Sequence, residues 1–271
     1  MAFDLNNFVI DRIVRGVALS QKDDSVLFSI NQIQNASLNC ASESTDAVDA
    51  MGTPIATFYR AKTAEFSAEN ALFDMNLMAT QLGTEKKVAS AGAKIVVPAM
   101  ESFVVVEGGK QALKHQAIAA PAEIYAINPD STFGVKYKNA ALNKKTTPSE
   151  TEFVYTEADN TITLPTGLKV DTEMFVMYEY ESTEAVEVVN SAKNFPVGCK
   201  FVMEVLGCDV CDQTNLIYAY VIFNNAKLSP DFDWSIATDG AHPFSMKAQQ
   251  DYCDKEKRLF SIVIPGDQDQ E

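Results

Sequence analysis

The sequence predicts a mainly β protein in two parts: a β-rich part with one amphipathic α-helix, and a β-sandwich module inserted into it or hung from it. Three observations predict this. Residues 25–40 set Val26, Phe28, Ile30, Ala36, Leu38 and Cys40 at even positions against Ser29, Asn31, Asn35, Ser37 and Asn39 at odd ones. That two-residue period is the mark of a half-buried strand. Residues 98–186 hold six short strand candidates between close-set turn signals, the texture of a sandwich. A single stretch, 68–82, carries a helical stripe: Ala71, Leu72, Met75, Met78, Ala79 and Leu82 recur at three- and four-residue steps.

Taken in order, residues 1–24 read as an extended N-terminal arm that ends at the polar turn Gln21, Lys22, Asp23 and Asp24. In the strand 25–40, Gln32 and Gln34 interrupt the buried face, so a bulge is expected there. Residues 41–54 read as an acidic, small-residue loop joining this strand to a returning one over 55–67. It is longer than the usual hairpin connection of about two to five residues. It has no aromatic or histidine to do chemistry, which leaves contact with a neighbouring copy or plain mobility. Ser67 is the expected N-cap of the helix and Gly83 its stop. Met75, Leu77 and Met78 on that helix are read as core rather than as a cofactor box.

The sandwich strands are expected at 103–106, 124–126, 133–137, 152–155, 161–164 and 174–180. This gives domains 1–97 plus 187–271, discontinuous, around an insert at 98–186. Beyond it, 201–206 and 216–223 read as a hairpin. Residues 244–248 and 259–264 read as a closing pair, and 267–271 as an acidic tail.

Composition narrows the function. The 271 residues carry 37 acids against 22 bases, a net charge of −15. A nucleic-acid reader needs clustered Lys and Arg, so specific DNA or RNA binding is not expected. Five cysteines, an odd number thinly spread, point to free thiols in a reducing compartment. The start lacks the basic and apolar regions of a signal peptide, and no apolar run reaches membrane length, so a protein made in a cytoplasm is expected.

Candidate chemical sites are weak. Cys208 and Cys211 form a Cys-x-x-Cys, half of a tetrahedral zinc site. The pair falls in a hairpin turn, and Cys199, His242 and Cys253 are available only singly. Asp231, Asp233, Asp239 and Gly240 suggest calcium, but Ile236 and His242 stand where an EF-hand needs Gly and Glu. His115 and His242 have no patterned nucleophile nearby, and no phosphate loop or nucleophile elbow is present. Asn35-Ala36-Ser37 matches a glycosylation sequon, which means nothing without secretion. Trp234, beside Phe232 and near Phe244, is read as core. No enzyme, metal or cofactor is expected.

The order of elements (strand 25–40, loop 41–54, strand 55–67, helix 68–82, and the strands from 199 to 264) resembles the tail tube proteins of long-tailed bacteriophages. The resemblance implies a small β-sandwich or barrel with a flanking helix, assembled into stacked hexameric rings around a lumen that conducts DNA. By position, 41–54 becomes the stacking loop, with Glu43, Asp46, Asp49, Met51, Gly52 and Pro54 as its assembly residues, and 1–24 an arm reaching a neighbour. Residues 98–186 resemble the immunoglobulin-like modules that decorate some such tubes. The implied partners are copies of the chain itself and other virion tail proteins, with non-specific passage of DNA and no membrane span. The implied place is the virion tail, after synthesis in the host cytoplasm. A capsid decoration or head-surface protein, and a β-rich surface module binding carbohydrate or protein, are the rivals. The last of these requires a concave patch with exposed aromatics.

Overall fold

The computed structural model describes residue 5, residues 7–252 and residues 255–266. The chain divides into two compact units, 1–86 with 188–271, and Lys87–Glu187.

In chain order the first unit begins with strands β1 (Phe8–Ser20), β2 (Val26–Ile30), β3 (Ile33–Val48) and β4 (Pro54–Asn70), then the helix α1 (Met75–Gln81). The second unit contains β5 (Lys87–Val88), β6 (Ile95–Val104), β7 (Lys110–Ala112), β8 (Glu123–Ile127), β9 (Phe133–Asn139), a 3-10 turn (Ala140–Asn143), β10 (Glu152–Thr156), β11 (Thr161–Thr163), β12 (Glu173–Ser182) and β13 (Val186–Glu187). The first unit resumes with β14 (Gly198–Asp209), β15 (Asp212–Leu228), β16 (His242–Ala248) and β17 (Ser261–Val263).

The first unit is one antiparallel sheet in the order β2-β1-β14-β15-β16-β4-β3. It curls over its own core. Phe66 on β4 and Phe201 on β14 are three steps apart in that order, roughly 14 Å in a flat sheet. Their ring centroids nevertheless lie 5.8 Å apart. Phe66 also meets Phe223 and Phe244 at 6.0 Å each, and Phe28 meets Phe201 at 6.3 Å. Five phenylalanines from five strands thus close the sheet into a barrel-like sandwich, with Leu77 of α1 buried against the same cluster.

The second unit has its own core of Ile124, Phe153, Ile162, Met174 and Val176. Its strands follow the path β6-β12-β8-β9-β10-β11-β7. All its pairings are antiparallel except the short β9–β10 contact at Lys138–Asn139. Its two ends meet in the β5–β13 pair, where Lys87 and Glu187 form a 3.2 Å ion pair.

Several expectations are corrected. The strand expected over 25–40 is two strands: β2 pairs with β1, and after a break at Asn31 and Gln32 the chain pairs with β4 as β3. The bulge sits a little later, at Asn35, whose φ of 54° places it in the left-handed region. Residues 8–20 are no free arm, since β1 is paired on both sides, with β2 and β14; residues 1–4 and 6 lie outside the described residues. The helix starts seven residues late. Alternation of buried Ala64, Phe66, Ala68 and Asn70 carries β4 past Ser67, and Asp74 is the N-cap, its carboxylate accepting from Leu77 N at 2.7 Å. Gly83, at φ 66°, ends the helix as expected, against the backbone of Phe195. β14 and β15 form the expected hairpin, with a turn of only Val210 and Cys211. β16 and β17 do not pair with each other: both lie against β15, β17 at Tyr220–Ile222 and β16 at Ala226–Leu228. The expected acidic tail, 267–271, lies outside the described residues.

Candidate assembly hairpin

The expected loop 41–54 is mostly strand. β3 continues to Val48, and β4 begins at Pro54, so the connection is only Asp49 to Thr53. Its chemistry is explicit. Asp49 Oδ1 accepts from Met51 N and Thr53 N at 2.8 Å each. Gly52 takes φ 84°, a conformation that glycine adopts without strain. Asp49 and Gly52 therefore build the turn itself.

Burial separates this hairpin into a root and a ribbon. From Ala64 to Asn70, alternate residues of β4 enter the core; from Pro54 to Thr63 every residue is exposed, as is every residue of β3 from Asn39 to Val48. Ten residues per arm at about 3.3 Å each make a ribbon roughly 30 Å long. The register pairs Glu43 with Arg60, Ser44 with Tyr59, Thr45 with Phe58 and Asp46 with Thr57. Neighbouring residues point to opposite faces, so Phe58 lies on one face and Tyr59 on the other. Met51 is 91% exposed, Tyr59 72%, Ile55 71% and Phe58 55%. An extra residue at Ala61, held at φ 48°, bulges and twists the ribbon near its root. Leu259 and Phe260 lie beside that root, next to Cys40 and Lys62.

Among the described residues both long edges of the ribbon are open: β3 pairs only with β4, and β16 covers β4 only from Glu65 to Asn70. A two-stranded ribbon with both faces in water is marginal alone, and an open edge is a template for another strand.

The other expected sites separate. Cys208 is buried on β14, opposite Leu216, and Cys211 is exposed in the turn, its N–H donating to Asp209 Oδ1 at 2.8 Å. Cys199 is buried, which pushes its thiol up to about 11. Among the described residues no group of three or more His, Cys, Asp or Glu could hold a metal; Cys253 lies outside them. Asp231, Asp233 and Asp239 are exposed in the irregular segment before β16. Trp234 is half-buried rather than core, stacked on Phe73 at 4.3 Å. His242 is buried, with Nε2 2.8 Å from Gln81 Oε1, and burial holds its pKa below the usual value. His115 is exposed in the second unit, stacked on Tyr180 at 3.9 Å.

The first unit thus joins a β-barrel-like body and its helix to a two-stranded ribbon that exposes Phe58 and Tyr59. Residues 8–258 match the model of the YomU/Tube protein family, and the chain belongs to that family. It is thereby a phage tail tube structural protein, a component of the virion tail that assembles with itself and with other tail proteins, and membership points away from an enzyme. No curated protein matches the chain. Among the described residues no helix is long and apolar enough to cross a membrane.

Proposed function

We propose that this chain forms stacked six-fold rings whose lumen conducts DNA during ejection, with the β3–β4 ribbon joining one ring to the next. The observation that carries the reading is the ribbon: some twenty residues, exposed on both faces and open on both edges, ending in an apolar tip at Val48, Met51 and Ile55. Seating that tip and Tyr59 on a neighbour removes apolar surface from water, and strand addition satisfies the open edges. Glu43, Asp46, Met51 and Pro54 are then contact residues, while Asp49 and Gly52 shape the turn that presents them.

Charge supports a conduit. Six copies at −15 each bring a ring to −90, and an acidic wall repels phosphate, so DNA slides rather than binds. Residues 98–186, within the unit Lys87–Glu187, are the proposed outward module, with the immunoglobulin-like assignment part of the proposal. The test is electron microscopy of the wild type beside an Asp46→Lys, Met51→Asp double variant. Tubes from the wild type and isolated rings or monomers from the variant support the reading; identical tubes from both overturn the role of the ribbon.

A further inference from the structure

We propose that the second unit carries a saccharide-binding groove between the segment after β7 and the end of β12. The groove is open to solvent and has a volume of about 620 Å3, within the usual range for small-ligand sites of about 300–1,000 Å3. It is independent of the ribbon and does not rest on the tube reading.

Two of its lining residues stack on each other. The imidazole of His115 lies parallel to the Tyr180 ring, 3.9 Å away with a 7° tilt, and His115 is exposed while Tyr180 is half-buried. A flat ring stacked on another is held at fixed orientation and offers its outer face to the C–H face of a sugar. Around it stand the Lys94–Glu181 pair and the side chains of Gln116, Ser182 and Glu184, whose carbonyl, hydroxyl and carboxylate oxygens are suited to hydroxyl groups.

The segment that presents His115 has no regular secondary structure, yet buried side chains fix its backbone. The carboxylate of Glu101 accepts from Lys114 N at 3.1 Å and from the Tyr178 hydroxyl. Tyr178 OH in turn accepts from His115 N at 3.1 Å. On the other side Asn160, itself held at φ 51°, donates to the carbonyls of Leu113 and His115 at 3.1 and 2.8 Å. Gln116 Nε2 donates to Tyr155 OH and to the Glu157 carbonyl at 3.3 Å each. Glu101, Tyr178 and Tyr155 are all buried. A loop clamped from both sides loses little further freedom on binding, the arrangement that favours affinity.

The lining selects the ligand class. Lys94 is already paired with Glu181 at 2.6 Å, and Glu184 adds a second carboxylate, so phosphates and nucleic acid are repelled. Ala117 and Ile118 are too little apolar surface for a lipid. A neutral, hydroxylated ring fits all of these features.

The test is to probe the full-length protein on an array of bacterial-surface mono- and oligosaccharides and to titrate each hit by calorimetry. The expected result is saturable binding of at least one saccharide, weakened tenfold or more by His115→Ala and by Glu184→Gln. Both variants should melt and assemble like the wild type; if His115→Ala fails to fold, Glu184→Gln decides. Retention of no saccharide at millimolar concentration, retention unchanged in the folded variants, or capture of peptides instead would overturn the proposal.

Discussion

Replacing Met51 by Asp tests the ribbon with little risk to the fold. The side chain is 91% exposed, and the backbone N–H of the residue donates within the turn to Asp49. Folding stability should therefore change by less than about 0.5 kcal/mol. Assembly is another matter. Fully burying a methionine contributes about 1.5–3 kcal/mol, and an unpaired carboxylate in the same place adds a further desolvation cost. Taking about 2 kcal/mol per contact gives roughly 30-fold per subunit. Six such contacts act together between two rings, about 12 kcal/mol at that value. The assay is the concentration at which polymer pellets, measured beside the melting temperature. The expected result is no pelletable polymer at concentrations where the wild type assembles, with an unchanged melting temperature. Polymerisation at the wild-type concentration would refute the reasoning, and a lowered melting temperature would show that the ribbon tip belongs to the folded core.

Four further outcomes follow from the geometry. Phe66→Ala removes the ring that touches Phe201, Phe223 and Phe244; a loss of about 3–5 kcal/mol should lower the melting temperature by roughly 10 °C. Ala61→Gly relieves a left-handed alanine at φ 48° that costs about 1–2 kcal/mol; amide exchange across the ribbon should slow, whereas Ala61→Val should quicken it. His242 is held below its usual pKa by burial, partly opposed by Asp74. Its neutral form thus belongs to the folded state: stability is full above the unfolded value of about 6.5 and declines as pH falls below that towards the folded value. Urea midpoints at pH 7.5 and 5.0 should show this decline, and His242→Gln should reduce it. Zinc or a chelator should leave the melting temperature unchanged, since Cys208 is buried and Cys211 exposed, with no third ligand among the described residues.

What the sequence revealed follows from burial. Where one face of a strand meets the core, as at Val26 to Ile30, at Phe201 to Val205 or at Phe66 to Asn70, apolar alternation is present in the sequence. Residues 41–48 lack it and read as a loop, yet they are strand. The period-two signal arises only when one face is buried, and here Ser42, Glu43, Ser44, Thr45 and Asp46 have water on both sides. The helical stripe ran too far upstream for a related reason. Ala71 and Leu72 fall by chance on the spacing of Met75 and Met78, whereas β4 continues to Asn70 because its own alternation is stronger. Leu77, fully buried, is the helix residue that anchors it. Strand partnership was the least legible. That β16 and β17 share one neighbour rather than pair together depends on how far β15 extends, which local pattern does not encode. The same holds for the groove: His115 and Tyr180 are far apart in sequence and meet only because Ala117 bridges to Tyr180 in the folded unit.

Cryo-electron microscopy of the concentrated, purified chain tests the central claim most directly. The account predicts hollow tubes of stacked six-fold rings, with residues 49–53 and the exposed arms of β3 and β4 embedded between rings. Tubes in which that ribbon stands free in solvent, or a chain that stays monomeric at every concentration even when seeded with other tail components, would contradict it.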